Sequence, residues 1–271
     1  MKNKSRLLSG PYLFWAIAFI IIPFCMIFAY GLTDKSGELT LANILSITTQ
    51  EHSKALSLSI ELSLMATGIC LLLGYPLAAI LAHMKNSSGV IIFIFILPMW
   101  MNFLLRTLAW QTLLEKTGVI NTVLSALNLP TINIINTSAA IVLGMVYNFL
   151  PFMVLPLYNS LTKIDENVLN AAADLGANAF QTFYKITLPL SVPGIISGIT
   201  MVFVPALTTF VISKLLGGSK ILLIGNVIEE QFTQAGNWHL GSGLSIVLMI
   251  FIIMNMLLSA VFDKDGEGSV L

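Results

Sequence analysis

The segment Thr162–Val192 reads TKIDENVLNAAADLGANAFQTFYKITLPLSV and lies between two long apolar runs. It is too polar to cross a bilayer core of about 30 Å, which requires about 20 predominantly apolar residues in a helix. Its apolar residues nevertheless recur at helical spacing. We therefore expect a structured helical connection, called the polar segment below, rather than a flexible linker.

Local signals divide the polar segment into two short helices. Asp165 is a candidate N-cap for the first helix, and Gly176 supplies the left-handed residue that ends it. Asn178 is a candidate N-cap for the second helix, with Gln181 in the capping-box position, and Pro189 is expected to end that helix. The expected apolar and aromatic side chains are Val168, Leu169, Ala172 and Leu175 in the first helix and Phe180, Phe183 and Tyr184 in the second.

Six apolar runs outside this segment are long enough to span a bilayer as helices. They cover residues 11–32, 55–83, 89–113, 139–161, 193–213 and 241–262. Charged residues make up only 10% of the chain, whereas a soluble domain carries about 25%. The sequence predicts an all-α polytopic membrane protein, with residues 1–271 forming a single transmembrane domain and residues 162–192 outside the bilayer.

Charge and cysteine usage narrow the possible classes of protein. The cluster of Lys2, Lys4 and Arg6 favours a cytoplasmic N-terminus, and six spans would return the C-terminus to the cytoplasm. The formal net charge of zero offers no basic field for nucleic acid. Cys25 and Cys70 both lie inside apolar runs, so neither a disulfide framework nor a metal site is expected.

Seven residues of the polar segment resemble the EAA loop of ABC-importer permeases, a motif of Glu-Ala-Ala, three residues, Gly, nine residues, Ile, one residue and Leu-Pro. The matching residues are Asn170, Ala171, Ala172, Gly176, Ile186, Leu188 and Pro189. The spacing is intact, and the position between the fourth and fifth predicted spans also fits the family. Asn170 replaces the glutamate, so an ion pair made by that glutamate is not implied here. The resemblance implies a coupling element that sits in a cleft of a cytoplasmic ATPase; an amphipathic hairpin on the bilayer surface is the alternative.

Further stretches resemble the first membrane subunit of the spermidine/putrescine importers, a subfamily of the type I ABC importers. They are Leu71–Ala78, Leu97–Trp110, Gly118–Leu129, Val204–Gly218 and Leu223–Phe232. The resemblance implies a permease of a bacterial inner membrane that works with a second permease, two copies of an ABC ATPase and an external polyamine-binding protein. The sequence has no Gly-rich phosphate-binding loop, so ATP and Mg are expected on the ATPase, and this chain is expected to be neither an enzyme nor the holder of a cofactor.

Aromatic residues of the third predicted span are candidates for the substrate path. Trp100, Phe103, Thr107 and Trp110 would fall within about 80° of one another on a helix, and aromatic faces attract alkyl-ammonium groups. The alternative is that these side chains face lipid or pack between helices.

Ionisable residues supply the other candidates for the path. Glu61 and Arg106 are expected at similar depth near the external face, where they could form an ion pair; Arg106 could instead extend to the headgroups. Glu229 and Glu230 could attract a polycation, or simply form a solvated face. Lys214 would repel a cation, so an amino acid, thiamine or a metal chelate stays open as the cargo.

Two other classes of membrane protein are the alternatives to a permease. An ion-coupled secondary transporter would place ionisable residues near the middle of its spans, where this sequence has few. An intramembrane enzyme would need reactive side chains at membrane depth. His52, His83 and His239 all fall at helix ends or in loops, and their spacing is not that of metal ligands.

Overall fold

The computed structural model describes residues 10–84, 93, 97–218 and 220–267, and these residues are mostly helical. The cluster of Lys2, Lys4 and Arg6, most of the expected turn at 84–88, and residues 89–92 and 94–96 of the third predicted span lie outside the described residues. In chain order the helices are α1 (Pro11–Gly31), α2 (Ala42–Leu45), α3 (Gln50–His83), α4 (Phe103–Leu114), α5 (Val119–Ala126), α6 (Ser138–Leu161), α7 (Glu166–Asp174), α8 (Ala179–Leu190), α9 (Val192–Thr208), α10 (Val211–Leu216), α11 (Ile224–Thr233) and α12 (Trp238–Glu267).

Four helices of the described part are long and apolar enough to cross a membrane, namely α1, α3, α6 and α12. They correspond to the first, second, fourth and sixth predicted spans. A fifth is reached if α8 and α9, which meet at an angle of 62°, together form one broken span. The described residues are therefore mostly helical and include four or five helices that could cross a membrane, and the count of six spans stays a prediction.

The third predicted span is not one continuous helix in the part that is described. A 3₁₀ turn covers Leu97–Trp100, and α4 begins only at Phe103. The side chain of Asn102 accepts hydrogen bonds from the backbone amides of Leu104 at 2.8 Å and Leu105 at 3.4 Å, which makes it the N-cap of α4. The interruption follows from this capping, because an N-cap residue leaves helical backbone angles.

The fifth predicted span, 193–213, is also interrupted, because α9 ends at Thr208 and α10 begins at Val211. The buried side chain of Asn226 stabilises this break. Its amide nitrogen donates to the carbonyl of Phe210 at 3.0 Å, and its oxygen accepts from Ser213 Oγ at 2.5 Å and from the backbone amide of Leu223 at 3.1 Å. Part of the polar backbone exposed by the break is thus satisfied within the protein, as burial in an apolar environment requires.

The described residues form two compact units. One unit combines residues 1–55 with 227–252, and a small apolar cluster around Ala55, Val227 and Leu244 stabilises it. In that unit the side-chain amide of Asn43 donates to the carbonyl of Thr33 at 2.9 Å and ties down the loop after α1.

The second unit combines residues 56–226 with 253–271 and is organised around α6. Met145, Met153 and Leu157 of α6 are fully buried in its core. Helix α9 packs closely on α6, because Gly194 and Gly198 present no side chain at the contact. Small residues at this four-residue spacing allow two membrane helices to approach closely.

Candidate functional site

The first half of the polar segment folds as its sequence predicts. The carboxylate of Asp165 accepts a hydrogen bond from the backbone amide of Asn167 at 2.9 Å and caps α7. At the other end Gly176 has a φ of +80°. The amide of Gly176 donates to the carbonyl of Ala173, and that of Ala177 to the carbonyl of Ala172, which is the Schellman pattern. The predicted cap and the predicted stop are both confirmed.

The second half begins as predicted but does not end as predicted. Asn178 and Gln181 form a reciprocal capping box, with N···O distances of 2.8 and 3.0 Å. Pro189 does not end the helix. The chain passes through a π turn at Phe183–Thr187 and stays helical to Leu190. Pro189 lies in the first turn of the α-helical stretch that follows the π turn, where a missing N–H is tolerated.

The expected apolar stripe of the polar segment is only partly buried. Ala172 is 6% exposed, whereas Leu175 is 89% exposed. Phe180 and Tyr184 are also exposed, and their rings are stacked with centroids 6.3 Å apart. The loop therefore presents an apolar and aromatic tip, and an exposed patch of this kind is typical of a surface that contacts another protein or a membrane.

The structure places the residues of the EAA-like pattern at different positions on this loop. Asn170 and Ala171 are exposed on α7, Ala172 is buried beneath them, and Gly176 forms the left-handed stop. Ile186, Leu188 and Pro189 belong to the last turns of α8, where the first two are half-buried and Pro189 is exposed. The asparagine that replaces the family's glutamate is accordingly at the surface of the loop.

The predicted aromatic stripe is wrong as a single helical face, because Trp100 precedes the break at Asn102. Trp100 is 76% exposed in the 3₁₀ turn. The other members turn toward α6: the Phe103 ring lies 6.5 Å from that of Phe149, and the Trp110 ring 5.2 Å from that of Tyr147. Thr107 is fully buried on the same helix, and its hydroxyl donates to the carbonyl of Phe103 at 2.9 Å.

A groove of about 740 Å³ lies between α3 and α6. Its lining is mostly apolar and includes Leu58, Met65 and Val146, whereas Glu61 is the charged residue in it. Tyr147, the partner of Trp110, also lines this groove. The groove thus combines one carboxylate with an aromatic side chain, and both groups attract ammonium ions.

The predicted ion pair between Glu61 and Arg106 is not formed. Glu61 is exposed in the groove, whereas Arg106 is 8% exposed, and no Arg–carboxylate contact within 4 Å joins them. Among the described residues Arg106 Nε has no hydrogen-bond partner at all. Two side chains at similar depth can form an ion pair only if they also point toward each other. The rotation of each helix about its own axis decides the direction of its side chains.

The remaining candidates are near the ends of helices. Glu229 is half-buried on α11 and accepts a hydrogen bond from Thr233 Oγ at 3.3 Å, whereas Glu230 is exposed. Lys214 is exposed in the last turn of α10. Sequence reasoning missed Tyr75 and Ser191, whose hydroxyl oxygens are 2.8 Å apart where α8 meets α9. No sequence pattern pairs residues that are 116 positions apart.

Solved structures with a similar fold include membrane transporters. One is the crystal structure of a bacterial alginate ABC transporter in complex with an alginate pentasaccharide-bound periplasmic protein. The match covers 95% of this chain and 93% of the transporter chain, with a TM-score of 0.74 and 19% identity. The MetNI methionine ABC transporter in an inward-facing conformation matches 79% of this chain and 95% of its own, with a TM-score of 0.56 and 16% identity. The chain thus shares its fold with chains of these ABC transporters.

Sequence relatives narrow the class further. The chain is 37% identical over 264 residues to the spermidine/putrescine transport system permease protein PotB of Haemophilus influenzae, covering 94% of this chain and 92% of that protein. It is 38% identical over 253 residues to PotB of Escherichia coli, covering 90% and 91%. Residues 71–264 match the family model of the binding-protein-dependent transport system inner membrane component. The chain belongs to this family.

Proposed function

We propose that this chain is one of two permease subunits of an ATP-driven importer of polyamines in a bacterial inner membrane. Two copies of a cytoplasmic ATPase, which bind ATP and Mg, would drive transport, and an external binding protein would deliver spermidine or putrescine. Both termini and the polar segment would then lie in the cytoplasm. Closure of the ATPases would move the polar segments of the two permeases and open the path outward.

The observation that carries this proposal is the similarity to PotB permeases over more than nine-tenths of the chain. That similarity includes the capped loop of α7 and α8, whose exposed apolar tip has the chemistry of a docking surface. The chain has no phosphate-binding loop of its own, so the proposed ATP chemistry falls to a partner subunit.

The groove between α3 and α6 supports a cationic cargo. Glu61 supplies a carboxylate in an otherwise apolar lining, and Tyr147 with Trp110 supplies aromatic surface. An alkyl-ammonium chain presents both apolar and cationic groups, so it complements both kinds of lining. The proposed path takes in the groove with Glu61 and the aromatic candidates Trp100, Phe103 and Trp110, whereas the buried side chains of Arg106 and Thr107 would not contact the cargo. Glu229 and Glu230 would attract the polycation.

Uptake measurements test the cargo. The chain, expressed with its second permease, ATPase and binding protein in a strain that lacks polyamine uptake, should import radiolabelled spermidine or putrescine. Glu61→Gln should lower that uptake about twofold to fivefold, because a partly screened ion pair contributes up to about 1 kcal/mol. Glu38→Gln, which changes an exposed carboxylate of a loop, is the matched control. Uptake of an amino acid, thiamine or a metal chelate instead would refute the polyamine assignment.

A pair of glycine variants tests the coupling role of the polar segment. Gly176 and Gly37 have φ values of +80° and +86°, and a Cβ at either position would meet nothing within 4 Å. Aspartate therefore imposes a similar backbone strain at both. Gly176→Asp should abolish transport while the permease still inserts, and Gly37→Asp should not. If the Gly176→Asp complex retains its ATPase subunits at wild-type yield and substrate still stimulates ATP hydrolysis, the coupling role is wrong.

A further inference from the structure

The junction between α8 and α9 is a sharp bend at a buried serine. The two helices meet at 62°, and Ser191 lies between them with no exposed surface. Its hydroxyl donates to the carbonyl of Leu188 at 2.9 Å, and its backbone amide donates to the carbonyl of Thr187 at 3.0 Å. This residue is called the elbow below. The elbow therefore has a defined geometry and connects the polar segment to the membrane helix α9.

A tyrosine from a different helix contacts the elbow. The hydroxyl of Tyr75, on α3, lies 2.8 Å from Ser191 Oγ. Because Ser191 donates its own proton to Leu188, Tyr75 is the donor in this pair. The ring of Tyr75 also meets the ring of Phe183 edge to face, with centroids 5.7 Å apart and planes at 88°. One side chain of α3 thus contacts both the elbow and the π turn of α8.

Close packing connects these helices to α6 on either side of the elbow. Gly74, next to Tyr75, leaves room for Met153 of α6, whose Cγ would lie 3.0 Å from a Cβ at position 74. Gly194, three residues after the elbow, packs directly on Ser160 of α6. Since tightly packed interiors transmit displacement rather than absorb it, α3, α6 and α9 should respond together to a movement of α8.

We propose that Tyr75 is a positioning residue that sets the angle of the elbow and transmits movement of the polar segment to α3. This inference rests on the proposed function, since it requires α7 and α8 to be moved by an ATPase. Without the hydroxyl of Tyr75, the elbow keeps its hydrogen bond to Leu188 but loses its polar contact with α3. Movement of α8 would then be lost at the elbow instead of reaching the helix that lines the groove.

The assay is the ratio of polyamine taken up to ATP hydrolysed, measured with the complete importer in proteoliposomes. Tyr75→Phe removes the hydroxyl but retains the ring contact with Phe183, and Ser191→Ala removes the partner hydroxyl. Each variant should lower the ratio about twofold to tenfold, the range expected for one hydrogen bond. The double variant should be no worse than the single ones, because both remove the same contact. Tyr158→Phe on α6 is the matched control, since that hydroxyl has no hydrogen bond among the described residues.

A distance measurement tests the geometry of the elbow independently of transport. Spin labels at Asn170 and Met201, both exposed, are introduced after Cys25 and Cys70 have been replaced by alanine. The distance distribution should broaden in Tyr75→Phe and stay narrow in Tyr158→Phe. An unchanged distribution, an unchanged uptake ratio, or additive losses in the double variant would each overturn the proposal. If the proposed function itself is wrong, the wild-type importer will show no substrate-stimulated ATP hydrolysis. This outcome differs from every outcome that refutes the role of Tyr75 alone.

Discussion

Replacing Gly194 by alanine should weaken the contact between α6 and α9. A Cβ at this position would lie 2.5 Å from the Cβ of Ser160 and 2.8 Å from the carbonyl oxygen of Pro156. Neither atom is the free end of a flexible side chain, so the two helices must move apart by several tenths of an ångström. Overpacking of this kind costs about 1–3 kcal/mol.

Gly68→Ala provides the matched comparison. Gly68 is also inside a helix, α3, but a Cβ there would meet nothing within 4 Å. Both variants gain about 1 kcal/mol from the higher helix propensity of alanine, so this gain cancels between them. The difference of about 1–3 kcal/mol between the two variants therefore isolates the clash at α6.

Thermal unfolding of the purified complex in lipid nanodiscs measures this difference. A change of 1 kcal/mol shifts the Tm of a chain of this size by about 2–4 °C, so Gly194→Ala should unfold at least about 2 °C below Gly68→Ala. Equal Tm values for the two variants would show that α6 and α9 are not in close contact at Gly194. A loss of polyamine uptake in Gly194→Ala alone would add that this contact is needed for transport.

Three further changes test other parts of the structure. Asn226→Ala should lower the free energy of unfolding by about 2 kcal/mol or more, measured as a fall in Tm, because buried hydrogen-bonding groups at the helix break lose their partner. Trp100→Ala should reduce polyamine uptake without reducing the amount of assembled complex, since Trp100 is 76% exposed. Unchanged uptake kinetics would show that Trp100 contacts lipid or packs between helices instead. The hydrogen bonds from the Ser36 side chain and then from the Glu38 backbone lower the pKa of Asp34 below its usual 3.8. The turn is therefore stabilised above that pH and loses this stabilisation as the pH falls through the lowered pKa. Hydrogen exchange of the Ser36 amide should detect this pH dependence, and Asp34→Asn should abolish it.

Features fixed by neighbouring residues were predictable from the sequence. The caps at Asp165 and Asn178 depend on side chains within three residues of the amides that they satisfy, and the stop at Gly176 depends on the positive φ of that glycine. The first span was predicted at 11–32 and observed at Pro11–Gly31, because its length follows from an uninterrupted apolar run.

Features that depend on distant residues were not predictable in the same way. The break after Thr208 is stabilised by Asn226, and hydropathy alone carries no sign of that contact. The prediction of a Glu61–Arg106 ion pair was wrong because the sequence indicates the depth of each side chain in the membrane but not the direction in which it points. A helix turns about 100° per residue, so two side chains at one depth can face entirely different surroundings. The break at Asn102 had a local signal, because asparagine is a favoured N-cap residue. The long apolar run nevertheless predicted one continuous span.

The separate surroundings of Glu61 and Arg106 favour a cation over an anion as the cargo of the groove. An ionised side chain in a membrane span is costly unless it meets an opposite charge or water. Glu61 is open to the groove and has no ion-pair partner among the described residues, so a cationic cargo would supply one. Arg106 is 8% exposed and is not part of the groove lining, so its positive charge lies away from the surface that the cargo would follow. An anion would meet the carboxylate first and would have no access to the guanidinium, and the same groove would therefore repel it.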